Sequence, residues 1–303
     1  MTATSYTHLT KLLANPDSSG PDLLAAAREL RESFVRSEHL IGLLPGDAPQ
    51  VMVAGFERAA NAGEVQAWEN LGMVYQYGAA PWAPYPTPDV AAAIRAYQRG
   101  DALGDRSSAL GWIRAAYFAR SLEHATAASA RVDELLAESP GDGGLLLLRG
   151  YFAHQGFGVP QDAAAAARWH HQAAEAGDAD AAFELSVLYA AGDGVGEDAA
   201  ESDRWTRRAA ELGSPRAMAN LGGMYATGRG VALDARVALD WYAKAADLGH
   251  MRAAFTAGVM CLTGDGGLPV DEQRASAFFS LADELGFDVD GTHDALGIAR
   301  PNG

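Results

Sequence analysis

Few side chains in this sequence are placed to do chemistry, and they are scattered. His170 and His171 are adjacent in a stretch patterned as a helix, so they point to different faces and make no metal pair. Structural or surface histidine is the expected role. His154 falls in another helical stretch, where a satisfied polar residue is expected and groove lining is the alternative. Asp288, Asp290 and Asp294 in FDVDGTHD offer oxygen ligands, but the full calcium loop and its terminal glutamate are missing. Capping of a turn is the expected use of these aspartates. Cys261 has no histidine beside it in sequence to activate it as a nucleophile. Glycine pairs such as GDG and GRG lack the lysine and the preceding strand of a phosphate loop. A nucleophile, a base and a charge stabiliser cannot be assembled from these pieces. The expectation is a non-enzymatic chain with no catalytic residue, no metal and no cofactor.

The elements that carry these residues form a repeat. Gly141, Gly177, Gly213 and Gly249 are spaced 36 residues apart, and each opens a unit with two helical patterns. In the unit from Gly213, Ala217, Leu221 and Tyr225 recur four apart and share one face of a first helix. A glycine-rich turn, TGRGV, follows. A second helix is predicted to begin at Asp234, an N-cap, with Ala238, Trp241, Tyr242, Ala245 and Ala246 as its buried stripe. Alanine or glycine at Ala181, Ala217, Gly222 and Gly258 permits close helix approach. Trp169, Trp205, Trp241 and Phe278 hold one slot of the second helix and fill larger gaps. Cys261 holds the slot of Tyr189 and Tyr225, so it reads as a small buried hydrophobe.

The pattern extends upstream in weaker form. A unit opens at Gly63, with Tyr97 in the Tyr242 slot of its second helix, and another at Gly104, where Arg120 stands in place of the turn glycine. That unit is expected to have longer helices and a tighter turn. The end of an earlier second helix is predicted around 51–62. Two short amphipathic helices cannot bury their apolar faces alone but can when stacked on the next pair. The fold expected is therefore all-α.

Ala217, Leu221-Gly222, Tyr225, Gly228, Gly230-Val231, Asp234, Ala238, Trp241-Tyr242, Ala245-Ala246 and Gly249 together resemble the Sel1-like repeat, a relative of the tetratricopeptide repeat. The resemblance covers roughly three quarters of the chain. It implies a right-handed α-α superhelix, a solenoid of antiparallel helix pairs, that acts as an adaptor or scaffold for protein complexes. The positions it carries over are architectural.

The expected organisation is an N-terminal helical cap over 1–50, divergent repeats over 51–140 with a proline-rich insertion at 79–88, Sel1-like repeats over 141–286, and a C-terminal cap and tail over 287–303. In the cap, Leu23, Leu24, Ala27, Leu30, Phe34 and Leu40 lie near one stripe of a helix over 21–42, and THLTKLL adds a shorter one. The alternative for 1–50 is partner docking or self-association.

In helix-pair solenoids the first helices line the concave face, and their non-packing positions would read a ligand. Those positions are Gln66, Asn70, Met73 and Tyr77; Asp180, Glu184, Val187 and Ala191; Arg216, Asn220, Gly223 and Thr227; and Arg252, Thr256, Val259 and Thr263. The surface is mixed and polar, suited to a peptide, without the arginine array a phosphate-rich ligand needs. Asn70 and Asn220 are candidates for holding a peptide backbone. The loop PWAPYPTP (81–88) presents Trp82 and Tyr85 as a recognition element or as a plug.

Composition narrows the partner. Asp plus Glu is 39 against 23 Lys plus Arg, a net charge of -16, which repels nucleic acid and suits a basic or mixed-charge protein. A hydrophobic share of 49 % supplies a core. One cysteine excludes an intramolecular disulfide framework. No signal-peptide pattern and no long apolar run is present, so a cytoplasmic chain without membrane contact is expected. The functional expectation is a protein- or peptide-binding adaptor. The alternatives are a small-molecule-binding regulatory or accessory protein, with a site near Trp68, Trp82 and Trp112, and a homo-oligomeric structural protein.

Overall fold

The computed structural model describes residues 2–36, 45–78, 88–289 and 291–292; within it the described residues contain helices and no strand. The chain divides into two compact units, residues 1–134 with 157–159, and residues 135–156 with 160–303.

In the first unit α1 (Thr2–Ala14) precedes α2 (Gly20–Arg36) and α3 (Ala48–Asn61). Then come α4 (Gln66–Tyr77), α5 (Val90–Ala102), α6 (Arg106–Phe118) and α7 (Leu122–Glu138), whose last residues lie in the second unit. Leu9, Leu23, Leu30, Met52 and Phe56 are fully buried and share a cluster with Leu71 and Val74 of α4. The apolar stripe of residues 2–30 is thus used inside the unit. The expected earlier second helix is α3, and α2 serves as its first-helix partner. Arg58 of α3 ties α1 down: its guanidinium donates to the carbonyls of Leu12, Leu13, Asn15 and Pro16 at 2.6–3.2 Å. Leu12 and Leu13 lie in the last turn of α1, where carbonyls lack intrahelical donors, and Asn15 and Pro16 follow its end.

The turn between α6 and α7 is tight, as expected, and α7 has 17 residues where α6 keeps 13. Arg120 in that turn sits at φ 51, the left-handed region that glycine fills elsewhere.

The second unit is the regular array: α8 (Gly143–Gln155), α9 (Ala163–Glu175), α10 (Ala179–Ala191), α11 (Ala199–Glu211), α12 (Pro215–Thr227), α13 (Ala235–Asp247), α14 (Met251–Thr263) and α15 (Glu272–Glu284). Every one has 13 residues. The repeat fixes both ends of each helix. Asp162, Asp198, Asp234 and Asp271 cap the second helices by accepting first-turn amides; for Asp234 these are Arg236 N and Val237 N, both at 3.0 Å. Gly156, Gly192, Gly228 and Gly264 end the first helices in the left-handed conformation. Packing follows the same register. Alanines 181, 182, 209, 210, 217, 245 and 253 are buried together with Leu185, Trp205 and Leu221, so neighbouring pairs approach closely. Cys261 is buried at 2 % exposure, and burial raises its thiol pKa. The fold is an all-α helical-repeat solenoid.

Candidate functional site

The first helices of the array stand one unit apart, and three of the expected partner-reading residues meet between them. Arg216 of α12 donates through Nη2 to Glu184 Oε1 at 3.1 Å and to Asp180 Oδ1 at 3.3 Å, both on α10. Tyr151 of α8 donates its hydroxyl to the same Glu184 oxygen at 3.0 Å. The Arg216 guanidinium also lies 4.3 Å from the centroid of the Phe183 ring. A strip across α8, α10 and α12 is therefore pre-set by charge. Burial pulls the Arg216 pKa down, but Glu184 and Asp180 outweigh it and hold it above its ordinary value. Burial, then Glu184, pushes the Tyr151 phenol well up. His250, the N-cap of α14, accepts Ala253 N through Nδ1 at 3.1 Å, and burial, with Arg252 and Arg216 nearby, lowers its pKa.

Asn220 and Arg252 are exposed, and neither has a side-chain partner among the described residues. The Thr256 hydroxyl is spent on its own helix, donating to Arg252 O at 2.8 Å, as are those of Thr227 and Thr263 on the carbonyls of Gly223 and Val259.

The corresponding positions in the first unit are engaged differently. Gln66 Oε1 accepts Arg28 Nη2 at 2.9 Å, Asn70 Oδ1 accepts Arg31 Nη1 at 3.3 Å, and Met73 Sδ lies 3.6 Å from Arg31 Nη2. Asn70 is 4 % exposed and donates to Gln66 O, so its amide has an internal use rather than an open edge for a peptide. The signal in the sequence was an arginine pair one unit upstream, on a helix assigned there to capping. Tyr77 remains 62 % exposed. Trp82 and Tyr85 lie outside the described residues, as do Asp290 and Asp294. Asp288 caps a turn, accepting Gly291 N at 2.8 Å.

The histidines have separate surroundings. His154 Nε2 is 2.8 Å from Asp193 Oδ2. His170 is buried against Tyr151, with ring centroids 5.3 Å apart, whereas His171 is half-buried 3.5 Å from Glu175. Among the described residues no three His, Cys, Asp or Glu side chains gather as a metal site would need.

A cavity of 450 Å³ in the first unit is lined by Trp68, Leu71, Tyr75, Glu57, Arg95 and Arg99, among others. Tyr75 donates to Glu57 Oε1 at 3.1 Å, and its pKa is pushed up to about 12 by burial and then by Glu57. Arg99 stands 4.9 Å from the Trp68 ring centroid. Trp112, grouped with Trp68 on sequence grounds, is buried elsewhere and donates to Asp101 Oδ2 at 2.8 Å.

The unit boundaries coincide with a known family. The Sel1 repeat model matches residues 146–178, 179–214, 215–250 and 252–287. The array belongs to the Sel1-like repeat family. A Sel1 repeat protein from Oxalobacter formigenes has a solved structure that superposes with a TM-score of 0.60 at 25 % identity, over 97 % of this chain and 86 % of that one. A protective antigen of uropathogenic Escherichia coli, described as having an SLR fold, superposes with a TM-score of 0.49 at 24 % identity, over 90 % of this chain; the chain spans only 57 % of that antigen's length. No curated protein matches in sequence. Sel1 repeats in general form protein-interaction scaffolds. Among the described residues no helix is long and apolar enough to cross a membrane.

Proposed function

We propose that this chain is a non-enzymatic adaptor that binds another protein or peptide on the first-helix face of its Sel1-like array. The observation that carries the reading is the Arg216, Asp180 and Glu184 cluster beside Asn220 and Arg252. One cation is held in place by two carboxylates and a ring, so little side-chain freedom is lost when a partner docks. Asn220 and Arg252 then offer hydrogen-bonding groups not used within the described residues. The net charge of -16 favours a partner with basic or mixed charge. The test is affinity purification from the source cell with quantitative mass spectrometry, comparing the native chain with Asp180→Lys/Glu184→Lys. A stoichiometric partner lost from the variant is expected. A partner retained at full yield, or none even after crosslinking, contradicts the reading.

The first-unit cavity favours a second reading, small-molecule binding in a regulatory or accessory role. Its volume and its aromatic and arginine lining suit a small ligand. Tryptophan fluorescence across a metabolite library, on the native chain and Trp68→Phe, tests it. A flat response in the native chain counts against it.

A further inference from the structure

The unit over 179–214 departs from its neighbours at one pair of slots. In the other array units a ring on the second helix lies against a glycine of the first: His170 on Gly150, Tyr242 on Gly222 and Phe279 on Gly258. The same register places Thr206 and Ser186 here, and neither supplies a ring. The Tyr242 ring covers Gly222, and its hydroxyl reaches Gly223. The counterparts of those two glycines, Ser186 and Val187, line a pocket of 360 Å³ together with Ser202 and Thr206 of α11 and Asn220 of α12. The pocket lies over the slot that the ring takes in the neighbouring unit, with Ser186 and Thr206 buried at its floor (3 % and 5 % exposed) and Val187 45 % exposed at its rim.

The polar groups indicate what fits. The hydroxyls of Ser186, Ser202 and Thr206 donate to the carbonyls of Phe183, Ser186 and Ser202 at 2.7, 2.8 and 2.9 Å. Their protons are committed, so the hydroxyls at the floor and wall of the pocket have no donor to offer, and what little of Ser186 and Thr206 is reachable is acceptor. Asp203 and Glu197 add carboxylate acceptors to the lining, against one cation, Arg229. A flat ring bearing a hydrogen-bond donor matches this lining better than a plain hydrocarbon, and a positive charge next to it would be favoured.

We propose that this pocket binds a phenolic ring, presented as a partner's tyrosine or as a free phenol. The site stands whether or not the first-helix face binds a protein. Isothermal titration calorimetry of the full chain tests it, with p-cresol and the peptide acetyl-Lys-Tyr-Lys-amide as probes. Saturable binding of at least one probe is expected, with the phenylalanine peptide weaker by roughly tenfold or more. Ser186→Gly/Thr206→Tyr rebuilds the ring-on-glycine pair and should abolish binding. Should that variant fail to fold, Val187→Arg alters only a rim residue and should weaken binding by roughly tenfold. Tighter binding of the peptide than of p-cresol assigns the source to a partner's tyrosine, and the reverse order to a free phenol. No saturable binding of either probe, a phenylalanine peptide that binds equally well, or undiminished binding in the folded variants overturns the proposal.

Discussion

His170 lays its imidazole against the bare Cα of Gly150: a Cβ on that glycine would stand 2.5 Å from ring atom Cε1. The register gives this slot to tyrosine in one unit and phenylalanine in another, so the histidine is used here as a ring. Its Nδ1 is buried without a hydrogen-bond partner among the described residues. Burial, with His154 adding a smaller push, lowers its pKa from 6.5 to about 4.

Stability should therefore depend on pH through this residue. The unfolded chain takes up the proton below about pH 6.5, and the folded chain only near pH 4. The contribution is fully present above pH 6.5 and is lost as pH falls towards 4, reaching about 2 to 3 kcal/mol at pH 4.5. His170→Phe should flatten that part of the profile. Denaturant unfolding at pH 7.5 and 4.5 decides it; equal pH slopes for the two proteins would contradict the burial argument.

The glycines under the rings should rank by clearance. Gly150→Ala places its methyl 2.5 Å from the imidazole, whereas Gly222→Ala stands 3.1 Å from the Tyr242 ring. Overpacking costs about 1–3 kcal/mol and alanine returns about 1 kcal/mol of helix propensity. Gly150→Ala should lose about 2 kcal/mol and Gly222→Ala less than about 1 kcal/mol. Urea midpoints at constant slope would read the order, and a reversed order would sink the packing account.

Arg120 holds a left-handed backbone at φ 51 without being glycine. Arg120→Gly should raise stability by about 0.5 to 1 kcal/mol, because strain relief exceeds the entropy returned to the unfolded chain. A loss of stability on this substitution would mean that the arginine side chain matters more than its backbone.

Arg58 is expected to hold α1 in place. Arg58→Ala removes charge-assisted bonds to four carbonyls and should cost about 2 to 3 kcal/mol in the first unit. Arg58→Lys should recover only part, since a point charge cannot span the same fork of acceptors. Hydrogen exchange read on residues 2–16 should quicken in Arg58→Ala, and unchanged protection would rule out the anchoring role.

Much of the array could be read from sequence because its constraints recur. A left-handed helix end demands glycine at 156, 192, 228 and 264, and a second-helix start demands an acceptor at 162, 198, 234 and 271. The cluster of Asp180, Glu184 and Arg216 was legible as positions on one face, but not as a bridge, because rotamers choose between neighbours. The arginines of α2 were missed. The sequence between α2 and α3 does not carry the GxGV pattern of the array, so α2 did not read as a first helix, and its reach to Gln66 and Asn70 stayed hidden. The 179–214 pocket had a signal in Ser186 and Thr206, two small residues at slots where the register puts glycine and a ring, but only coordinates show a pocket opening over them.

The central claim is that the first-helix face of the array holds a protein partner. The most direct measurement places a photocrosslinking amino acid at Asn220, at Arg252 and, as a control on a second helix, at Arg204, and crosslinks in the source cell. All three positions are exposed. Adducts with one partner from 220 and 252 but not from 204 are predicted. Equal adducts from all three positions, or none from 220 and 252, would contradict the claim.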